Sequence, residues 1–151
     1  MLAFYIGWYT FSLDFSSAFV QADIDVPIWV HIPRGFRYTL PGRICLRLKR
    51  SVYGIAQAPR LWHKYLFTAL KSLGFIQNPI DPCLLMRSDC IIVVYVDDCG
   101  CAVKNKTVAD KLISDLRQKG FALTIEGSFI KFLGIKFEKF GRTNIRMTQD
   151  P

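Results

Sequence analysis

The sequence predicts an α+β fold, a mostly antiparallel sheet with helices packed on one face. Three observations lead there. Short apolar runs of strand length recur along the 151 residues. Two longer stretches, from residue 59 to 73 and from 108 to 119, repeat apolar residues at helical spacing. Turn residues separate these segments, and no repeat or low-complexity tract divides them, so residues 1–151 read as one domain. A chain of this length buries roughly two-thirds of its unfolded surface.

The elements follow in order. Phe11 and Leu13 alternate with polar neighbours from Tyr9 to Leu13, a half-buried strand closed by Asp14. Ser16 to Val20 reads as a turn into a short helix. Ile28, Val30 and Ile32 alternate with Trp29 and His31, a strand ended by Pro33 and the turn Arg34-Gly35. Ile44, Leu46 and Leu48 alternate with Arg43, Arg47 and Lys49, giving a strand with one apolar and one basic face. The basic face is either a solvated surface or a phosphate-holding one.

Pro59 suits a helix start, Leu61, Trp62, Tyr65, Leu66, Ala69, Leu70 and Leu73 form its stripe, and Gly74 stops it. Trp62 and Tyr65 lie on that stripe, which favours core packing over base stacking, and His63 reads as a surface residue. Ile91 to Val96 is an apolar strand, and Cys99 to Val103 resumes an extended pattern beyond a hairpin tip at Asp97-Asp98. Val96 would be strained if it takes the first central position of that turn. Thr107 is placed to cap the helix over 108–119, with Gly120 after it. Strands over 121–125 and 129–140, then a turn at Gly141-Arg142, complete the pattern.

Two adjacent carboxylates at the end of an apolar strand are either an ordinary Asp-rich turn or a site for cations. Asp14, at the end of another strand, supplies a third acid. If the two strands lie side by side, the three carboxylates repel one another without divalent ions. Hard oxygen ligands of this kind suit Mg²⁺ or Mn²⁺.

Four blocks carry a family resemblance. They are Asp14-Phe15-Ser16-Ser17-Ala18-Phe19-Val20, the long block from Leu48 through Tyr53-Gly54 and Gln57-Ala58-Pro59-Arg60 to Trp62, then Tyr95-Val96-Asp97-Asp98, and Phe132-Leu133-Gly134-Ile135. Asp81-Pro82-Cys83-Leu84 fits a further segment. In this order they resemble the palm region of copia-type retrotransposon reverse transcriptases.

The resemblance implies a palm-like fold and an RNA-directed DNA polymerase using Mg²⁺ (or Mn²⁺). It implies a metal triad of Asp14, Asp97 and Asp98, with Asp98 a weaker ligand or a tuner of the site. Main-chain groups of Phe15 and Ser16 would lie near the incoming triphosphate. Phe19 would stand against the sugar and exclude a 2′-hydroxyl, or else is a helix-core residue. Tyr53 and Gly54 would lie beside template and nucleotide, Gly54 through close backbone approach. Gln57, Arg60, Tyr95 and Val96 would contact nucleic acid, although Arg60 in a first helical turn opposes the dipole preference. The implied partners are an RNA or DNA template with primer and deoxynucleotide triphosphates.

Ser16 departs from the family, where many relatives have Lys. Thirteen residues precede Asp14 where the family has a fingers region, and residue 151 comes before a thumb. The isolated chain is therefore expected to be inactive in synthesis. The alternative reading is a silent retroelement remnant with at most nucleic-acid or metal binding.

Composition is compatible with these partners. Twenty Lys and Arg against twelve Asp and Glu give +8, the sign of a chain that follows phosphates. Five cysteines, an odd number without a CxxC pair, argue against a disulfide framework and a zinc site, and read as buried thiols of a reducing compartment. The first thirteen residues are apolar but lack Lys and Arg, so a strand accounts for them better than a signal peptide. The longest apolar run elsewhere, Cys90 to Val96, is too short to span a bilayer. The expected location is intracellular, either cytoplasmic in a virus-like particle or nuclear, with no membrane partner.

Overall fold

The computed structural model describes residues 7–35, 45–128, 131–140 and 144–149. Its main feature is a six-stranded sheet of β4 (Ile76–Gln77), β5 (Leu84–Arg87), β6 (Cys90–Tyr95), β7 (Asp98–Val103), β1 (Tyr9–Phe15) and β8 (Leu123–Ser128), in that spatial order. Every neighbouring pair is antiparallel. Hairpin connections build β4 to β7, whereas β1 enters from the start of the chain and pairs with both β7 and β8. The strand that carries Asp14 near its end is therefore placed beside the one that begins at Asp98.

Period-two alternation decides which side of the sheet is covered. Phe11, Leu13 and Phe15 of β1, Ile92 and Val94 of β6, and Cys99, Cys101 and Val103 of β7 point into one core. Two helices close that face: α2 (Ala58–Ser72), after the short α1 (Ala18–Gln21), and α3 (Lys106–Gln118). Leu61, Trp62, Leu66, Phe67 and Leu70 of α2 are buried, as are Ala109, Leu112, Ile113 and Leu116 of α3. Each helix buries one stripe against one apolar surface, as an amphipathic helix requires. Leu73 is only partly buried at the end of its stripe. Gly74 ends the helix at φ 85, a backbone angle that favours glycine.

Two smaller sheets complete the described chain. β2 (Trp29–His31) pairs with β3 (Cys45–Arg47), and β10 (Ile135–Phe140) pairs with β9 (Lys131–Phe132) and β11 (Asn144–Gln149).

Several expectations are corrected. The cap of α3 is Asn105, whose side chain accepts from the Val108 N–H at 3.0 Å, so the helix starts at Lys106 and not after Thr107. Asn accepts the orphan N–H as well as Thr does. The strand expected over 129–140 is broken by a Leu133-Gly134 turn, with φ 52 and 78. β4, β5 and β11 had no expectation. Cys45 and Cys83 are exposed, while Cys90, Cys99 and Cys101 are buried, and all five are free thiols. The expected turn at Gly141-Arg142 lies outside the described residues, as does the first part of the basic strand over 43–49. No helix among the described residues is long and apolar enough to cross a membrane.

Candidate active site

On the face opposite the helices, the residues alternating with the core set gather acids. Asp14 of β1 stands directly opposite Asp98 of β7 in the antiparallel register. The Phe15 N–H donates to the Asp97 carbonyl at 3.1 Å, which joins β1 to the turn between β6 and β7. Asp14, Asp97 and Asp98 therefore sit at one end of adjacent strands. The tip is Val96-Asp97, because Tyr95 already pairs with Asp98. Asp98 is the first residue of β7 and not part of the loop.

Val96 has φ 55, whereas Asp97 has no positive φ. That is the pattern of a type II′ turn, which normally places glycine first. A β-branched residue held there costs about 1–3 kcal/mol and persists only where the surroundings fix it. The expected strain at Val96 is present.

Electrostatics join the acids. Asp98 is raised above the ordinary carboxylate value, first by desolvation and then by the charges of Asp97, Asp14 and Glu126. Thr124 Oγ1 lies 3.4 Å from Asp14 Oδ2 and donates weakly to it. Among the described residues no Lys or Arg forms an ion pair with Asp14, Asp97 or Asp98. Glu126 belongs to this region, because β8 places it opposite Ser12. A cavity lined by Ser12, Asp98, Glu126 and Phe132-Leu133-Gly134 lies over that part of the face. Glu126 lies one residue beyond the strand expected over 121–125, and polar-apolar alternation continuing through Ile125-Glu126 is the signal that reaches it.

The residues fit Mg²⁺ or Mn²⁺ in donor chemistry: hard carboxylate oxygens, mutually repelling, with no ion pair to a Lys or Arg among the described residues. They do not form a closed cage. Among the described residues no group of three or more His, Cys, Asp or Glu side chains is arranged to hold a metal ion.

The other candidate residues divide into two groups. Phe19 is buried and its ring lies 4.4 Å from that of Tyr53, which is 58% exposed. Desolvation, then the charges of Asp97 and Asp14, raise the Tyr53 phenol above its usual value. Phe19 and Tyr53 thus border the acids. Tyr95 and Val96 are exposed on the hairpin. Gly54 has φ 93, and nothing lies within 4 Å of the position a Cβ would take. The left-handed backbone angle by itself favours glycine there.

The main-chain donors of Phe15 and Ser16 are already used. Phe15 donates to Asp97, and Ser16 donates to the Ala122 carbonyl at 3.1 Å. Gln21 reinforces the second contact by donating to the carbonyls of Ser16 and Ala122. Arg60 is paired with Asp25, and its guanidinium holds that carboxyl below the usual range. Gln57 precedes the first turn of α2 and makes no side-chain cap. Trp62 is 2% exposed, and its indole N–H donates to the Val96 carbonyl at 2.6 Å, a polar contact that the core-packing expectation did not include. His63 is exposed and stacks on Phe67 at 3.7 Å.

Comparison with known proteins places the chain in a family. Residues 1–150 match the family described as reverse transcriptase (RNA-dependent DNA polymerase). The Retrovirus-related Pol polyprotein from transposon TNT 1-94 of Nicotiana tabacum is 31% identical over 129 residues, 82% of this chain and 10% of that protein. The corresponding polyprotein from transposon RE2 of Arabidopsis thaliana is 32% identical over 138 residues, 88% of this chain and 9% of that protein. A putative transposon Ty5-1 protein of Saccharomyces cerevisiae is 29% identical over 140 residues, 90% of this chain and 45% of that protein. The chain spans less than half the length of these relatives. It belongs to the reverse transcriptase family, in the form carried by copia-type transposon Pol polyproteins.

Proposed function

We propose that this chain carries the metal-binding centre of an RNA-directed DNA polymerase on a palm-like sheet. The observation that carries the reading is the register of Asp14 opposite Asp98, with Phe15 bonded to Asp97. Asp14 and Asp97 act as principal ligands of Mg²⁺ or Mn²⁺, and Asp98 as a weaker ligand that adds negative charge. Bound divalent ions would activate a primer 3′-hydroxyl and neutralise charge on the reacting phosphates.

The protein's own groups position the substrates. Phe19 and Tyr53 form an aromatic wall beside the carboxylates, of the bulk needed to favour a deoxynucleotide triphosphate over its 2′-hydroxyl counterpart. Phe15 and Ser16 shape the backbone below the triphosphate without donating to it, because both N–H groups have protein partners. Tyr95 and Val96 bear on the primer-template duplex from the hairpin. Gln57 and Arg60 lie toward the template, and Arg60 reaches a phosphate only by exchanging its pair with Asp25.

A catalytically silent remnant is the second reading, favoured by the lack of a closed metal cage among the described residues. Residues 1–151 alone should extend a primer at or near background, because an open sheet face does not hold 3′-hydroxyl and α-phosphate in line. Grafted into the full frame of a related transposon polyprotein, they should support Mg²⁺-dependent synthesis, and Asp97→Asn in the graft should abolish it. Synthesis that survives Asp97→Asn would remove the chemistry from the carboxylates. A folded graft with no synthesis at all would favour the silent reading.

A further inference from the structure

The turn that presents Asp97 is held from two directions. From β1, the Phe15 N–H donates to the Asp97 carbonyl at 3.1 Å. From α2, the Trp62 indole N–H donates to the Val96 carbonyl at 2.6 Å. The two anchors share one aromatic cluster: the Phe15 ring meets Trp62 edge-on at 5.2 Å, and both meet Phe121 edge-on at 5.5 and 6.0 Å. Among the described residues the indole is the donor recorded at the Val96 carbonyl.

We propose that Trp62 is a positioning residue, whose indole N–H holds the Val96 carbonyl and locks the strained turn that sets Asp97 against Asp14. Packing alone does not call for this. A phenylalanine ring would occupy much of the same space against Phe15 and Phe121, and it has no donor. A buried indole N–H ordinarily takes a partner. Here that partner is the carbonyl of the one residue in the turn with positive φ. Val96 disfavours that conformation, so without the bond the turn relaxes and the Asp97 carboxylate loses its fixed place. Helix α2, which contributes no carboxylate to the site, thus controls its geometry through one hydrogen bond.

The value of fixing Asp97 rests on the metal-binding reading above, and the test separates the two. In ¹⁵N-labelled residues 1–151, the Trp62 indole N–H should exchange more slowly with solvent than those of Trp8 and Trp29. Trp62→Phe should leave the signals of Leu66 and Leu112 dispersed while shifting and broadening the amides of Val96, Asp97 and Asp98. Paramagnetic broadening of Asp14 and Asp97 should then require roughly fivefold more Mn²⁺, the scale of one lost hydrogen bond. Val96→Gly removes the strained φ, so adding it to Trp62→Phe should restore the hairpin amides and the Mn²⁺ midpoint. A purely space-filling Trp62 would not be rescued in this way. Hairpin amides unmoved by Trp62→Phe, or a double variant no better than Trp62→Phe, would overturn the proposal. If Trp62→Phe does not fold, 3-benzothienylalanine at position 62 keeps the ring size without the N–H and gives the same comparison. A wild-type chain whose carboxylates ignore Mn²⁺, but whose hairpin amides still respond to Trp62→Phe, supports the positioning role and overturns the metal-binding reading.

Discussion

The two faces of the six-stranded sheet are written by alternate residues of the same strands, and they obey opposite rules. Leu13 and Asp14 are neighbours on β1. Leu13 is 1% exposed among Phe11, Phe15 and the helices, whereas Asp14 faces Asp98 on the uncovered side. The covered face gains from every apolar atom removed from water. The open face collects Asp14, Asp98 and Glu126, and there desolvation, then the charges of Asp97, Asp14 and Glu126, raise Asp98. Buried apolar surface therefore resides on one side and clustered charge on the other. They meet at the Val96-Asp97 turn, which is strained and is held by a core residue.

The sharpest way to break this division is on the covered side. Trp62→Ala should destabilise the chain by about 3–5 kcal/mol in chemical denaturation, through lost burial and a cavity. Leu13→Ala should cost about 2–5 kcal/mol for the same reason. Asp14→Asn, one residue away, should cost little or nothing. If Leu13→Ala and Asp14→Asn have similar effects, the two faces are not energetically distinct.

Much of this contrast is legible in the sequence because it rests on periodicity. The stripe of α2 and the alternation of Phe11, Leu13 and Phe15 identify the core without knowledge of neighbours. The adjacency of Asp14 and Asp98 is not local. It depends on β1 inserting between β7 and β8 across more than eighty residues of chain, so the strand pattern alone left it conditional and the family resemblance implied it. The pairing of Arg60 with Asp25, the use of the Phe15 and Ser16 N–H groups, and the Trp62 bond to Val96 were equally out of reach. Each joins residues whose partners are set by packing and not by local propensity. The exposed Cys45 and Cys83 show the same limit, since one lies on a three-residue strand and the other in the turn before β5, where little periodic signal exists.

A smaller effect sharpens the comparison at the edge of the covered face. Asp89 accepts from Arg87 Nε at 2.6 Å, and Arg87 also donates to the Leu73 carbonyl and lies over the Phe75 ring at 4.7 Å. The hydrogen bond from Arg87 is the main reason Asp89 is lowered from the ordinary 3.8. Because the folded value lies below the unfolded one, the stabilisation is complete above pH 3.8 and is lost as pH falls through the folded value. Partial exposure of both side chains limits it to about 1 kcal/mol. Asp89→Asn should lower stability by that amount at neutral pH and by progressively less below pH 3.8. A loss that persists undiminished in acid would mean that packing, and not charge, is at work.

The smallest effect has the opposite sign and belongs to the open face. Asp98→Asn keeps the shape of the side chain and removes one charge from the group formed with Asp97, Asp14 and Glu126. Relief of that repulsion should stabilise the metal-free chain, by less than about 1 kcal/mol because Asp98 is exposed to solvent. The gain should shrink at high ionic strength, where screening already weakens repulsion between exposed charges. Added Mn²⁺ provides the decisive contrast. The wild type should gain stability from a ligand that binds its folded carboxylates, and Asp98→Asn should gain less, so the ranking narrows or reverses. Equal stabilisation of both proteins by Mn²⁺ would place the ion away from Asp98. A loss of stability in metal-free Asp98→Asn would show that the open face contributes to the fold, and the division between the two sides of the sheet would fail where it matters most.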